Sequence, residues 1–186
     1  MHGMAGTQTE ELTTLEKIKF SREAGAVRRC HSQMILGHYD VAQHTFNLLC
    51  MLRILYPEAP REVIWQALAH DVPERLTGDI PATTKWAGLV KTEELDRLEI
   101  QIQNMVGMDY HDLDPYWRGV VKGLDLLELY MWCRDQTHMG NRNMERMAFR
   151  IMQWFDKNGK TIPRPVWDVY MKASTSDWFY SKDLGD

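Results

Sequence analysis

The chain has 186 residues, 44% of them hydrophobic and 26% charged, with a formal net charge of −4. That length argues for one domain with an ordinary packed core, and the acidic balance argues against a dedicated nucleic-acid binder. No apolar run is long enough to span a bilayer or to form a signal core, so no membrane partner is expected.

Residues 1–10 are small and polar and read as a flexible start, with residues 11–186 forming the single domain. Leu12, Leu15, Ile18 and Phe20 suggest a first helix up to Ala24, with Gly25 near its end. Val27 to Tyr39 reads as a loop carrying basic and imidazole groups. Asp40 is placed to cap a helix over Val41 to Tyr56, which Pro57 stops. Pro60 suits the first turn of a third helix that runs to Asp71. Thr77-Gly78-Asp79-Ile80-Pro81 is a turn by composition.

Thr92 is a plausible cap for a helix over Glu93 to Val106, closed by Gly107. Asp114-Pro115 is a cap and first-position pair opening a long helix to Thr137, closed by Gly140. Asn143 to Asp156 is amphipathic through Met144, Met147, Ile151, Trp154 and Phe155, and Pro163 and Pro165 open a last helix. No strand alternation and no internal repeat stand out. The expected architecture is all-α, roughly seven helices around one core. The cysteines Cys30, Cys50 and Cys133 form no CxxC pair, and Cys50 and Cys133 read as reduced core residues of a cytoplasmic protein.

Three places put metal-ligand residue types into otherwise apolar helices. His44 lies within Val41-Ala42-Gln43-His44-Thr45-Phe46, His70 and Asp71 end the third helix, and Asp125 interrupts Val120-Val121-Lys122-Gly123-Leu124-Asp125-Leu126. Two imidazoles and two carboxylates from three helices would hold one divalent cation and leave positions for water and substrate. Plainer explanations exist for each residue taken alone. A lone helical His44 is commonly a hydrogen-bonded core residue. Asp125, with Lys122 one turn before and Glu128 one turn after, also fits a solvated face. A second His-Asp pair, His111-Asp112, falls in a polar stretch that reads as loop.

The order His44, His70-Asp71, Asp125 resembles the H…HD…D signature of the HD-domain phosphohydrolases, which are all-α and metal-dependent. Val41 to Thr45, His70-Asp71-Val72-Pro73-Glu74-Arg75-Leu76-Thr77-Gly78-Asp79-Ile80-Pro81 and Lys122 to Asp125 are similar to the small 5′-deoxynucleotidase branch. Within that branch they look most like the phage-type dATP triphosphohydrolases. The resemblance implies His44, His70, Asp71 and Asp125 as metal ligands and Glu74 as the acid that works on the attacking water. On a helical continuation, Glu74 would also lie one turn beyond His70 and face the same way. The plain alternative is an exposed Glu74 paired with Arg75 or Lys85.

The resemblance further implies that Asp79 accepts from the deoxyribose 3′-hydroxyl, that Pro81 walls the base, and that Arg29, Lys85 and Lys122 contact phosphate. Each also has a plain explanation, a turn Asp or Pro and surface cations. The chain departs from the pattern at Cys30, where relatives carry a large aromatic lining the base and sugar pocket; Trp86 is the neighbouring aromatic that would compensate.

The implied function is hydrolysis of deoxynucleotides, with dATP to deoxyadenosine and triphosphate leading. A 5′-deoxynucleotidase acting on monophosphates and a non-catalytic nucleotide- or partner-binding helical module are the alternatives. The cofactor would be one divalent transition metal (Co, Mn, Zn, Ni or Fe), with additional Mg or Mn accompanying a triphosphate. The partner would be a small deoxynucleotide rather than nucleic acid, in a homo-oligomer of the cytoplasm, or of a host's cytoplasm if the source is viral.

Overall fold

The structure is a computed structural model that describes residues 11–81, 84–85 and 87–175. The expected flexible start at residues 1–10 and the compensating aromatic Trp86 lie outside the described residues. The described elements are α1 (Thr14–Ala24), α2 (Val41–Leu55), α3 (Arg61–Ala69), α4 (Glu74–Thr77), α5 (Thr92–Met105), α6 (Pro115–His138), a 3-10 turn (Arg142–Met144), α7 (Glu145–Asn158) and α8 (Arg164–Thr175). These are the seven expected helices plus the single turn of α4. Among the described residues the only strand-like pairing is one bridge, Arg28 to Asp40.

Local chemistry sets most boundaries. Thr13 and Glu16 form a reciprocal capping box at the start of α1. Asp40 accepts from the Gln43 amide at 2.8 Å and Asp114 from the Trp117 amide at 3.0 Å, as their positions suggested. Two expectations are corrected. Lys91, not Thr92, stands at the cap of α5, and no side chain caps that end.

The third helix stops at Ala69, two residues earlier than its apolar run implies. The cause is Pro73, which has no N–H to give and whose ring would strike the carbonyl four residues back, that of Ala69. That carbonyl is taken instead by the Val72 amide at 3.1 Å and by the Gln103 side chain of α5 at 2.9 Å. His70 and Asp71 therefore sit in a turn between α3 and α4, and Glu74 opens a new short helix instead of continuing the old one.

The core is arranged around α6, whose 24 residues span about 36 Å. Helices α2, α3, α7 and α8 pack against it. Gly123 of α6 allows α8 its close approach, since a Cβ there would meet Val166 Cγ1 at 3.0 Å. Phe155 and Tyr170 stack across α7 and α8 with centroids 4.0 Å apart. A second small cluster, Ala24, Val72 and Val106 with Leu12 and Phe20 against it, joins α1 to the joint after α3.

Two expected core positions of α1, Leu15 and Ile18, are exposed, because α1 turns its other face inward. Cys50 is also exposed, on an outer stripe of α2 with Phe46 and Ile54, so only Cys133 of the expected core pair is buried. No helix among the described residues is long and apolar enough to cross a membrane.

Candidate metal centre

His44 comes from the first turns of α2, His70 and Asp71 from the Pro73-induced break, and Asp125 from the middle of α6. One ligand atom each from His44, His70 and Asp125 lies within 4.8 Å of the others. Asp71 joins them: its Oδ1 is 3.3 Å from His70 Nε2 and its Oδ2 is 3.6 Å from His44 Nε2. All four expected ligands thus converge.

The hydrogen bonds around the two imidazoles suit them to a metal. His44 Nδ1 is 2.5 Å from Glu128 Oε2, and His70 Nδ1 is 2.8 Å from the Ala67 carbonyl. With Nδ1 of each ring donating to an oxygen, the Nε2 lone pair of each faces the shared space. Both Nε2 atoms are buried without a hydrogen-bond partner. Two orphaned imidazole nitrogens aimed at two carboxylates are a donor set that a divalent transition metal satisfies.

Glu128 is the residue that sequence reasoning missed. Its place one turn after Asp125 suggested a solvated face, yet it is 3% exposed. Its carboxylate accepts from Tyr39 Oη at 2.5 Å and from Asn47 Nδ2 at 3.0 Å besides holding His44. Tyr39 is itself fully buried and stacks on Trp132 at 4.3 Å. The available signal was spacing: Asp125 and Glu128 are i, i+3 neighbours and share a helix face.

The carboxylates are held ionised. Burial alone would raise the Asp125 pKa, but Lys122, His44 and His70 outweigh it and hold the group well below the usual carboxylate range. Arg29 pairs with Asp71 and lies 3.8 Å from Asp125, and its guanidinium also sits 5.7 Å from the Tyr39 ring centre. Lys122 Nζ is 2.8 Å from Asp125 Oδ2. Two of the three expected phosphate cations, Arg29 and Lys122, are thus present at the centre, already paired with its acids.

Glu74 is 8% exposed and its Oε2 is buried without a partner. Burial, with the Asp71 carboxylate adding to it, pushes its pKa up to about 9. The alternative of an exposed Glu74 paired with Arg75 fails, because Arg75 binds Glu23 at 2.7 Å.

A cleft of about 150 Å³ opens at these residues, and Arg29, Glu74, Asp79, Pro81, Lys85 and Lys122 all line it. Gly78, at φ 68°, reverses the chain after α4 and delivers Asp79 to this cleft. Asp79 Oδ2 accepts from the Cys30 amide at 2.8 Å. Cys30 takes a left-handed backbone, φ 54°, and burial pushes its thiol up to about 12, so it packs as a small apolar wall.

The remaining wall is apolar: Leu126 and Leu129 of α6 with Met147 and Trp154 of α7. Glu99, half-buried on α5, was also unremarked in the sequence, and burial raises its pKa above the usual carboxylate value, with Lys85 opposing. His111 and Asp112 take no part; the His111 amide only donates to Gln66.

Comparison with known proteins agrees with this geometry. A 5′-deoxynucleotidase of Shewanella oneidensis is 27% identical over 123 residues, a match spanning 59% of this chain and 63% of that protein. The PH0347 protein of Pyrococcus horikoshii OT3 has a crystal structure that superposes with a TM-score of 0.65 over 86% of this chain and 97% of its own, at 16% identity, which is a likeness of fold. The HD domain family matches residues 26–119, a stretch that contains His44, His70, Asp71, Glu74 and Asp79 and stops just short of Asp125. The chain belongs to the HD domain family.

Proposed function

We propose that this protein is a metal-dependent deoxynucleotide phosphohydrolase that cleaves the bond between the 5′ oxygen and its phosphorus. The carrying observation is the pair of orphaned Nε2 atoms of His44 and His70 facing Asp71 and Asp125, with the buried, unpartnered Glu74 in the same cleft. His44, His70, Asp71 and Asp125 would hold a divalent cation. When bound, such a cation supplies Lewis-acid charge to phosphoryl oxygens and lowers the pKa of water.

The chain's own residues do the rest. Glu74, with its raised proton affinity, orients the attacking water and accepts its proton. Arg29 and Lys122 offer N–H donors to the non-bridging phosphoryl oxygens as charge develops there. Asp79, anchored through one oxygen by the Cys30 amide, has its second oxygen for a sugar hydroxyl. Pro81 and the Leu129 and Met147 side chains give the base an apolar surface. The water oxygen bonds to phosphorus as its proton passes to Glu74, the bond to the 5′ oxygen breaks, and that oxygen takes up the proton from Glu74 and leaves as the deoxynucleoside hydroxyl.

The number of phosphates divides the reading in two. The cleft is lined by three cations (Arg29, Lys85, Lys122) and four carboxylates (Asp71, Glu74, Asp79, Asp125), so a divalent ion leaves it positive by about one charge, or about two while Glu74 holds its proton. That balance suits a monophosphate of roughly −1.5 to −2 charge, and the relative in Shewanella oneidensis named for 5′-deoxynucleotidase activity supports it. The second reading, release of triphosphate from a dNTP with dATP first, is favoured by Lys85 and Lys122 lining the cleft besides Arg29.

Supplying the purified protein with Mn²⁺ or Co²⁺ and each dNMP, dNTP and NTP separates them. Inorganic phosphate from dNMPs supports the first reading and inorganic triphosphate from dNTPs the second. Neither product from any deoxynucleotide overturns both.

A further inference from the structure

The cleft does not end at Met147. Gln33 and Met147 are shared with a second, larger cavity of about 490 Å³, whose other lining residues are Asn143, Arg146 and Arg150. Helix α6 gives the order of groups along the cleft. Lys122, Asp125 and Leu129 span seven residues of one face, about 10 Å, from cation through metal ligand to apolar wall. Helix α7 returns beside α6 after the short connection at 139–144, so Met147 and Arg146 near its start lie toward the Leu129 end, away from Lys122.

The opposite wall at that end is the loop after Cys30, where the Gln33 amide is fixed to the Cys30 carbonyl at 3.0 Å. Paired side-chain amides fasten this loop to the end of α6: Gln136 exchanges hydrogen bonds of 2.8 Å with both backbone groups of Leu36, and Asn141 donates to the Met34 carbonyl at 2.9 Å. Gln33 and Arg146 therefore face one cavity from two braced walls.

We propose that this cavity receives the outer edge of the base, that Gln33 and Arg146 are its specificity-determining residues, and that the preferred substrates are purine deoxynucleotides. The inference rests on the deoxynucleotide reading above and names the base that it takes. With phosphorus at Asp125 and the sugar at Asp79, the base lies on Pro81, Leu129 and Met147, and its far edge crosses Gln33 into the larger cavity. A purine reaches there and presents N1 and a six-position group. The Arg146 guanidinium donates to N1 of adenine or to O6 of guanine, and the Gln33 amide supplies both a donor and an acceptor for the remaining edge. A pyrimidine has no second ring and leaves both side chains to water.

The test measures kcat/KM of the metal-loaded, full-length protein for purine and pyrimidine deoxynucleotides of whichever phosphate number it hydrolyses. The wild type is expected to prefer purines roughly ten-fold or more, and Arg146→Ala to cut that ratio about ten-fold through KM, with Gln33→Leu acting in the same direction. Arg142→Ala, a neighbouring cation outside the cavity, leaves the ratio unchanged. Equal use of purines and pyrimidines by the wild type, or uniform slowing of all substrates in Arg146→Ala, overturns the inference while the phosphohydrolase reading stands. Hydrolysis of no deoxynucleotide overturns that reading and this inference with it.

Discussion

At one end of the cleft, His44 and His70 are each fixed through Nδ1 by a buried acceptor, and Glu128 is fixed in turn by Tyr39 and Asn47. At the other end, Asp79, Pro81, Cys30 and Gln33 come from turns and a loop, and the facing side chains come from α7. The first end is built from helix interiors and a proline-made break, where each rotamer is constrained by several partners. The second is built from segments whose length and sequence can change without disturbing the core. The contrast teaches how the two ends are constrained: the first presents one fixed donor set, whereas under the proposed function the second is where recognition would be set.

Breaking the first end should have the largest effect. His70→Ala is expected to lower activity about 10³-fold or more and to remove stoichiometric metal, read by activity and elemental analysis together. Glu74→Gln should lower kcat about 10²- to 10⁴-fold with metal content retained, which separates work on water from metal holding. Glu128→Gln keeps the shape of the side chain but weakens the orientation of His44; metal affinity should fall roughly 10- to 100-fold, read by competition with a chelator.

Asp79→Asn probes the second end. It should raise KM by about ten-fold with little change in kcat, and retained kcat with unchanged KM would remove Asp79 from sugar recognition. The smallest expected effect is on stability. The Glu74 pKa is raised from 4.5 to about 9, so the folded metal-free protein binds a proton that the unfolded chain releases, and stability falls as pH rises across that window. Metal-free Glu74→Gln should therefore be more stable than wild type at pH 8 by about 1–3 kcal/mol, read by denaturant unfolding, and the gain should vanish near pH 4.5. A variant no more stable than wild type at pH 8 would mean that burial of Glu74 is not costly.

The ligand residues were legible because an imidazole or carboxylate inside an apolar helix stands out against its neighbours, and because the long His70-to-Pro81 block carries a recognisable pattern. Glu128 was not legible, since a charged residue beside Lys122 and Asp125 on a helix looks solvated until Tyr39 and Asn47 cover it. Leu15, Ile18 and Cys50 misled for the converse reason: apolar periodicity says that a helix has an inner face but not how many faces find a neighbour. Arg146 is an ordinary surface type in sequence, and only packing brings it to the cavity that adjoins the cleft.

From the sequence alone come the all-α class and the helix starts at Asp40 and Asp114, because these depend on local chemistry and on spacing within a few turns, while the four candidate ligands and Glu74 came from the resemblance that their order and the His70-to-Pro81 block carry. The tautomer of His44, the pairing of Arg29 with Asp71, and the joining of the cleft to the cavity at Arg146 were decided by tertiary structure. Each depends on groups far apart in the chain: Glu128 reaching His44, Arg29 reaching Asp71, and Gln33 and Met147 lining both cavities. Local propensity carries no information about such meetings, because the free energy that selects them comes from burying and pairing groups that only the folded chain brings into contact.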